Sequence, residues 1–276
     1  MATTRDVQER FRITVDLHET GIELERHRLR RMHPAASEKE INCRLGLWLQ
    51  KRPESDLDSM MDGRGDGSWN PRSTRLLSAL GDLGRTLGEL RQPWALIGDL
   101  AVCAFAQPAF RNTIELAVAS PNVVGATTLI HALVRRGYRM TQDDEQRRDS
   151  PRSIRLRSPD ETPGSVEINL HSASCGIEAE IVSDAESIEI VPRLAVPVGR
   201  IGHLIALNVL SDAPECPEPG TRLRMLLQRV SDDELARARR AIALIAERGY
   251  HRGKDLEAEL DAFIGRFGTA GMPRTV

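Results

Sequence analysis

Apolar residues recur at helical spacing within the first 53 residues. Steps of three, four and seven relate the residues on one face of a first helix: Phe11, Val15, His18, Ile22, Leu29 and Met32. Pro34 is expected to end this helix, because proline disfavours helical conformation in the residue before it. Ser37 and Glu40 then form a capping box that opens a second helix, which Pro53 closes. The pattern predicts a small helical N-terminal module over residues 1–53.

Residues 54–71 break this periodicity. They are rich in Asp, Ser, Met and Gly and contain few large aliphatic side chains, a composition typical of a flexible linker. Residues 72–276 then form the remainder of the chain, in which helical spacing alternates with short extended runs. The predicted strands are 94–97, 113–119, 154–157, 166–171, 188–191 and 194–198.

Helical patterns surround these strands and continue to the end of the chain. Leucines at steps of four and three predict a helix from Leu76, and further helices are expected at 98–108, 123–136, 201–210 and 222–230. A second capping box, Ser231 with Glu234, opens a long final helix. The elements together predict an α+β fold, with a mixed sheet, flanking helices and a C-terminal helical bundle.

Charge is nearly balanced over the whole chain. The 38 basic and 40 acidic residues leave a net charge of −2, so bulk electrostatics favour neither a nucleic-acid nor a membrane partner. Residues 22–53 are a local exception, with eight basic against four acidic residues. This segment could contact nucleic-acid phosphates, or it could be a solvated helical face that docks on the acidic remainder of the chain.

Apolar and cysteine patterns bear on location. The apolar run at 101–106 is far too short to span a membrane, and the N-terminus lacks the pattern of an export signal, so a cytoplasmic location is expected. The four cysteines are too widely spaced for a metal knuckle, and buried or inert thiols are favoured over a disulfide: Cys43, Cys103, Cys175 and Cys216.

The order strand, glycine turn, helix and polar-alternating strand is typical of a nucleotide-transfer site. Nucleotidyl transfer spreads negative charge over phosphate oxygens, which divalent metals must neutralise. Magnesium prefers carboxylate oxygens, and two acids spaced i and i+2 on a strand share one face. A third acid from a neighbouring strand completes such a site, and a glycine turn lets backbone N–H groups approach the triphosphate.

Several segments resemble the AbiEii/AbiGii toxin family of nucleotidyltransferases. They span roughly residues 75–265 in family order: 94–102 (WALIGDLAV), 111–118 (RNTIELAV), 175–182 (CGIEAEIV), 202–207 (GHLIAL) and 246–255 (AERGYHRGKD). Three N-terminal segments resemble the small antitoxin-like module that accompanies these toxins as a separate protein: 17–22, 28–34 and 36–48. The resemblance implies a polymerase-beta-like nucleotidyltransferase fold fused to an antitoxin-like module.

The resemblance also assigns the site. It implies nucleotide-binding roles for three residues at the turn and the following strand, namely Gly98, Asp99 and Arg111. The three family acid positions, where catalytic metal ligands are expected, fall on Thr113, Glu115 and Asn169, and a family lysine is replaced by Asn208. Only Glu115 keeps a carboxylate, so it is the expected metal ligand. Because metal affinity depends on ligand charge, we predict impaired or absent catalysis.

Asp99, Glu115 and Glu167 could alternatively form a rearranged acidic cluster for Mg²⁺. Glu167 lies two residues before Asn169 and so shares its face of the strand. Three histidines lack the pairing of helical metal ligands and are expected to be ordinary structural residues: His171, His203 and His251.

Three functional hypotheses follow. The first is a pseudo-enzyme that keeps a nucleotide-binding cleft, needs no cofactor and acts by regulation. The second is an active, Mg²⁺-dependent toxin that transfers a nucleoside monophosphate to RNA or protein. In the third, residues 1–53 cover the cleft of the same chain. The partners considered are a nucleoside triphosphate, RNA, the N-terminal module itself and a second copy of the chain, with no membrane.

Overall fold

A computed structural model describes residues 4–34, 36–38, 40–41, 44, 74–106, 113–119, 123–141, 153–159, 166–172, 174–211 and 221–267. The helices are α1 (Thr4–Met32), α2 (Thr74–Glu89), α3 (Gly98–Phe105), α4 (Val123–Arg135), α5 (Glu178–Ser183), α6 (Ile201–Leu210), α7 (Thr221–Leu227), α8 (Asp232–Glu247) and α9 (Leu256–Phe267). The strands are β1 (Trp94–Ile97), β2 (Thr113–Val118), β3 (Arg139–Met140), β4 (Ser153–Arg157), β5 (Glu167–His171), β6 (Glu186–Val191) and β7 (Leu194–Val198).

The strands form one mixed seven-stranded sheet in the order β3-β4-β5-β2-β1-β7-β6. The central pair β1–β2 is antiparallel, whereas β2 pairs with β5, and β1 with β7, in parallel. Antiparallel pairs complete both edges. The predicted α+β class with a mixed sheet is therefore confirmed.

Alternation of apolar and polar residues sets the two faces of β4 and β5. Ile154, Leu156, Ile168 and Leu170 point into the core, whereas the residues between them are exposed or partly exposed. On the helical side, α2 buries Leu76, Leu80, Leu83 and Leu87 at the predicted spacing. The helices α6 to α9 pack on one another beyond the sheet, as expected of the predicted C-terminal bundle.

Three elements differ from the prediction. The two-residue strand β3 and the short helix α5 were not predicted. The long final helix is interrupted, because Gly249 (φ 78°) and Gly253 (φ 76°) adopt left-handed conformations between α8 and α9. Each left-handed residue stops helical hydrogen bonding, which splits the predicted helix in two.

The N-terminal helix α1 lies against α3 and β6, and Val7 joins the central core. As predicted, α1 ends just before Pro34. Met32, which was predicted to lie on the apolar face of this helix, is instead 57% exposed to solvent. The capping box is present: the Glu40 N–H donates to Ser37 Oγ, and the Ser37 N–H donates to Glu40 Oε2 at 2.9 Å. The predicted linker and the boundaries at residues 53 and 71 lie outside the described residues.

The second capping box forms only in part. Ser231 Oγ accepts from the Glu234 N–H as predicted, at 3.3 Å. The Glu234 carboxylate instead accepts from the Gly202 N–H of α6, at 2.7 Å. A side chain at Gly202 would collide with the α8 backbone, so the two helices are in direct contact there. Glu234 thus links two helices of the bundle.

Two further sequence expectations concern cysteines and membranes. Cys103 and Cys175 are buried and form no disulfide with a cysteine in the described ranges, whereas Cys43 and Cys216 lie outside those ranges. None of the helices in the described ranges has the length and apolarity that a bilayer crossing requires.

Candidate functional site

Gly98 and Glu115 meet at the junction of β1, β2 and α3. Ile97 is opposite Glu115 in the β1–β2 pair, which places Glu115 beside the first residue of α3. Gly98 has φ 68°, and a Cβ on it would lie 2.6 Å from Glu115 Cδ and 2.7 Å from Oε2. Only glycine can both adopt this conformation without strain and leave room for the carboxylate. The Glu115 carboxylate therefore occupies space that is available only because residue 98 is a glycine.

The parallel pair β2–β5 brings together Thr113, Glu115 and Asn169, the three positions at which the resemblance leads us to expect acids. Glu115 is directly opposite Asn169, and Thr113 is opposite Glu167. Opposite residues on adjacent strands project to the same face, about 5 Å apart. Asn169 Oδ1 is buried without a hydrogen-bond partner among the described residues. A carboxylate and an unsatisfied amide oxygen thus lie side by side.

His171 joins this group, although sequence reasoning treated it as an ordinary structural residue. Its Nε2 lies 4.0 Å from Glu115 Oε2, and its Nδ1 lies 3.0 Å from Ser174 Oγ. Burial lowers the pKa of the imidazole, with a smaller opposing effect from Glu178, which favours the neutral ring. The signal in the sequence was its spacing of two from Asn169, which places both on one face of β5.

Glu178 anchors the loop that carries Ser174. Its buried carboxylate accepts from the Cys175 N–H at 2.8 Å, from the Ser174 N–H and from Ser174 Oγ at 3.1 Å. Burial raises the pKa of the Cys175 thiol, so this cysteine is not poised as a nucleophile. The loop behind His171 is therefore held by hydrogen bonds to one carboxylate.

Asp99 is directed into the protein. Its side chain is 2% exposed, and its Oδ1 lies 2.6 Å from Arg222 Nε at the start of α7. The first turn of α3 is thereby tied to the C-terminal helices. Arg111, the other residue expected to bind nucleotide, lies outside the described residues.

A magnesium pair needs several carboxylates that converge. Within the described ranges, no group of three or more His, Cys, Asp or Glu side chains is arranged to hold a metal ion. Glu115 and Glu167 share one face of the sheet, but Glu167 is opposite Thr113 and not opposite Glu115. Asp99 is paired with Arg222. The described residues do not fit a two-magnesium site.

Arginines from β3 and β4 extend the same face, a feature that sequence reasoning missed. Arg155 is opposite Asn169, and Arg157 is opposite both Glu167 and Arg139. All three arginines are exposed. Over β2, β5, β4 and β3 the face thus presents three guanidinium groups against the two carboxylates of Glu115 and Glu167. The spacing of two between Arg155 and Arg157 was the available signal.

Comparison with protein families gives one match. A family model described as "Rv0078B-related antitoxin" matches residues 5–61, which include the Ser37–Glu40 capping box and all of α1 except Thr4. The match covers about a fifth of the chain. The N-terminal segment is therefore similar to an antitoxin family, and a search of curated proteins finds no significant match.

Two solved structures are similar to the larger part of the chain. One is an antigenic nucleotidyltransferase-like protein from Paracoccidioides brasiliensis, with 17% identity, a TM-score of 0.41 and coverage of 69% of this chain and 94% of that chain. The other is the antibiotic-resistance factor ANT(2'')-Ia, with 13% identity, a TM-score of 0.40 and coverage of 71% and 94%.

Proposed function

We propose that this chain is a nucleotidyltransferase-like protein related to toxin–antitoxin systems, which binds nucleotide polyphosphate but is impaired in transfer. The observation that carries the proposal is the composition of the β2–β5 face. Glu115 has the neutral amide of Asn169 opposite it, at a position where transfer chemistry needs a carboxylate. In this proposal the protein acts by binding and regulation.

The charge of the face favours phosphate binding without a metal pair. A triphosphate normally needs divalent cations because the carboxylates of the site would otherwise repel it. Here Asp99 is neutralised by Arg222, and Arg139, Arg155 and Arg157 lie along the same face. Guanidinium groups bind phosphate oxygens through paired hydrogen bonds and stay charged at all physiological pH values. Arginine can therefore replace part of the role of the metal in binding, though not in catalysis.

Calorimetry with the four common ribonucleoside triphosphates tests the binding. We expect saturable binding that persists in excess EDTA and weakens at least tenfold in an Arg155→Gln/Arg157→Gln variant, because each guanidinium contact with phosphate is lost. Arg85→Gln is the matched control, since Arg85 is an exposed arginine of α2 paired with Asp82. Nucleotide binding that requires Mg²⁺ and is equally tight in wild type and in the Arg155→Gln/Arg157→Gln variant would contradict this part of the proposal.

Restoring the acids tests the impairment. A Thr113→Asp/Asn169→Asp variant places carboxylates at the two vacant family positions, so we expect it to bind Mn²⁺ more tightly than wild type in electron paramagnetic resonance titrations. Transfer of a labelled nucleoside monophosphate should be detectable in the restored variant and absent in wild type. Mg²⁺-dependent transfer by wild type that disappears in Glu115→Ala would overturn the proposal.

A second candidate is an active transferase restrained by its own N-terminal helix. It is favoured by the contact of α1 with α3, the helix that begins at the Gly98 turn, and by the antitoxin match over residues 5–61. Val7 of α1 is buried and belongs to the central core, so Val7→Glu should loosen α1. Expression of a folded Val7→Glu variant should then inhibit growth, and Glu115→Ala should abolish the inhibition. Unchanged growth would exclude this candidate.

A further inference from the structure

Three side chains with lone-pair atoms lie on one face of the sheet where β2 and β5 are side by side: Glu115, Asn169 and His171. Asn169 Oδ1 and His171 Nε2 are both buried, and neither has a hydrogen-bond partner among the described residues. They are spaced i and i+2 on β5, so they share a face, and Glu115 lies opposite Asn169 on that face. A buried polar atom without a hydrogen-bond partner destabilises the folded state, because it has lost its hydration without compensation. Such an arrangement indicates that something outside the protein satisfies them.

The hydrogen-bond chain behind His171 defines which ring nitrogen carries the proton. The Ser174 hydroxyl has one hydrogen, which it donates to Glu178 Oε1 at 3.1 Å. Ser174 Oγ must then accept from His171 Nδ1, at 3.0 Å. The ring consequently presents a bare Nε2 lone pair toward Glu115. The three side chains on this face thus offer acceptor atoms: a carboxylate oxygen of Glu115, the amide oxygen of Asn169 and the imidazole nitrogen of His171.

The separation of His171 Nε2 from Glu115 Oε2 suits a shared cation. The two atoms are 4.0 Å apart. Zinc binds imidazole nitrogen at about 2.0–2.1 Å and carboxylate oxygen at about 2.0–2.2 Å, so these two ligand atoms of one ion can lie no more than about 4.3 Å apart. The observed distance is within this limit, and a small side-chain rotation would bring it to the shorter separation of tetrahedral ligands.

We propose that Glu115, His171 and Asn169 form a site for one first-row divalent transition metal of the zinc class. Imidazole is a ligand for zinc, iron or nickel, whereas magnesium is held by oxygen ligands alone. Three protein ligands leave coordination positions open. The His171–Ser174–Glu178 chain supplies the orienting hydrogen bond that metal-binding histidines need on their second nitrogen. The site uses Glu115 and Asn169, two of the positions at which the resemblance implies magnesium ligands, but it takes a different metal through the His171 imidazole, and it does not depend on the proposed binding of nucleotide.

Cobalt provides a spectroscopic probe of the ligands. Untagged full-length chain, stripped of metal, is titrated with Co²⁺ and then with Zn²⁺, without nucleotide. We expect one Co²⁺ per chain with visible d–d absorption, displacement by Zn²⁺, and no comparable binding of Mg²⁺. Co²⁺ bound by cysteine would instead give intense thiolate charge-transfer bands, and that result would overturn the proposal.

Variants assign the binding to these residues. His171→Asn and Glu115→Gln should each weaken Co²⁺ and Zn²⁺ binding at least a hundredfold, and Ser174→Ala should weaken it about ten- to a hundredfold by releasing the ring. His131→Asn is the matched control, because His131 is exposed on α4. Circular dichroism checks that each variant is folded. If His171→Asn is unfolded, the near-isosteric Glu115→Gln variant tests the assignment in its place. No stoichiometric binding at millimolar Co²⁺, or binding unchanged in folded variants, overturns the proposal.

Discussion

At the scale of single residues, Gly98 shows how backbone conformation and side-chain space constrain the same position. A residue with a Cβ at φ 68° loses about 1–2 kcal/mol relative to glycine, and the Cβ here would also lie 2.6 Å from Glu115 Cδ. Glu115 has to move away from any side chain at this position. The glycine therefore maintains both the turn and the location of the carboxylate.

We predict that Gly98→Ala lowers the free energy of unfolding by about 2 kcal/mol or more in urea denaturation, since conformational strain adds to the collision. Glu115→Ala in the same chain should recover only a part of this loss, because it removes the collisions with Cδ and Oε2 but leaves the Cβ of residue 115 at 2.9 Å. Gly88→Ala is the control, because a Cβ at this helical position meets nothing within 4 Å, and the substitution should be neutral or stabilising. Equal effects at Gly88 and Gly98 would contradict the argument.

At the scale of elements, the Asp99–Arg222 pair ties α3 to α7. The Asp99 side chain is almost fully buried and that of Arg222 is 19% exposed, so both charged groups have lost most of their hydration. The attraction between the two charges compensates for this loss. The pair also withdraws Asp99 from the face on which Glu115 lies. A residue that the sequence places at a nucleotide-binding turn is thereby used to join two helices.

We predict strong coupling between these two residues in a double-mutant cycle. Asp99→Asn and Arg222→Gln should each destabilise the fold, because each leaves a buried charge without its partner, and their combination should cost less than the sum by about 1–3 kcal/mol. The exposed Asp82–Arg85 pair of α2 is the control, where coupling should not exceed about 0.5 kcal/mol. Additive effects at Asp99 and Arg222 would show that the ion pair contributes little.

At the scale of the whole molecule, buried histidine links folding to pH. His203 is buried on α6, and the charged groups that influence it are Asp184, Arg237, Glu234 and Glu180. Burial is the largest influence on its pKa and lowers it below 6.5, with Arg237 acting in the same direction and the acids opposing it. The unfolded chain then binds a proton more readily than the folded chain.

Stability should therefore be complete above about pH 6.5 and fall as the pH drops through the lower pKa of the folded state. We predict that the free energy of unfolding declines between pH 7.5 and pH 5.5, with His203 contributing at most about 1.4 kcal/mol per pH unit. His203→Gln should flatten this decline, whereas His131→Gln on the exposed face of α4 should not. A parallel profile for His203→Gln and wild type would exclude this role.

Much of this architecture follows from local patterns in the chain. Alternation along β4 and β5 and the leucine spacing of α2 predict those elements, because burial of one face depends only on the period of the apolar residues. Strand β3 and helix α5 were missed because they are too short to show a period. The break between α8 and α9 was missed because two glycines inside a helical pattern do not by themselves show which conformation they adopt.

Some features of the candidate site likewise follow from local sequence, whereas others depend on the tertiary structure. Local sequence determined that Gly98 precedes a helix and that Glu115 and Thr113, or Asn169 and His171, share a face of their strands. Only the parallel pairing of β2 with β5 set Glu115 opposite Asn169 and near His171, and only helix packing turned Asp99 toward Arg222. These partners are far apart in sequence, so their meeting depends on strand register and helix docking, which no local periodicity encodes.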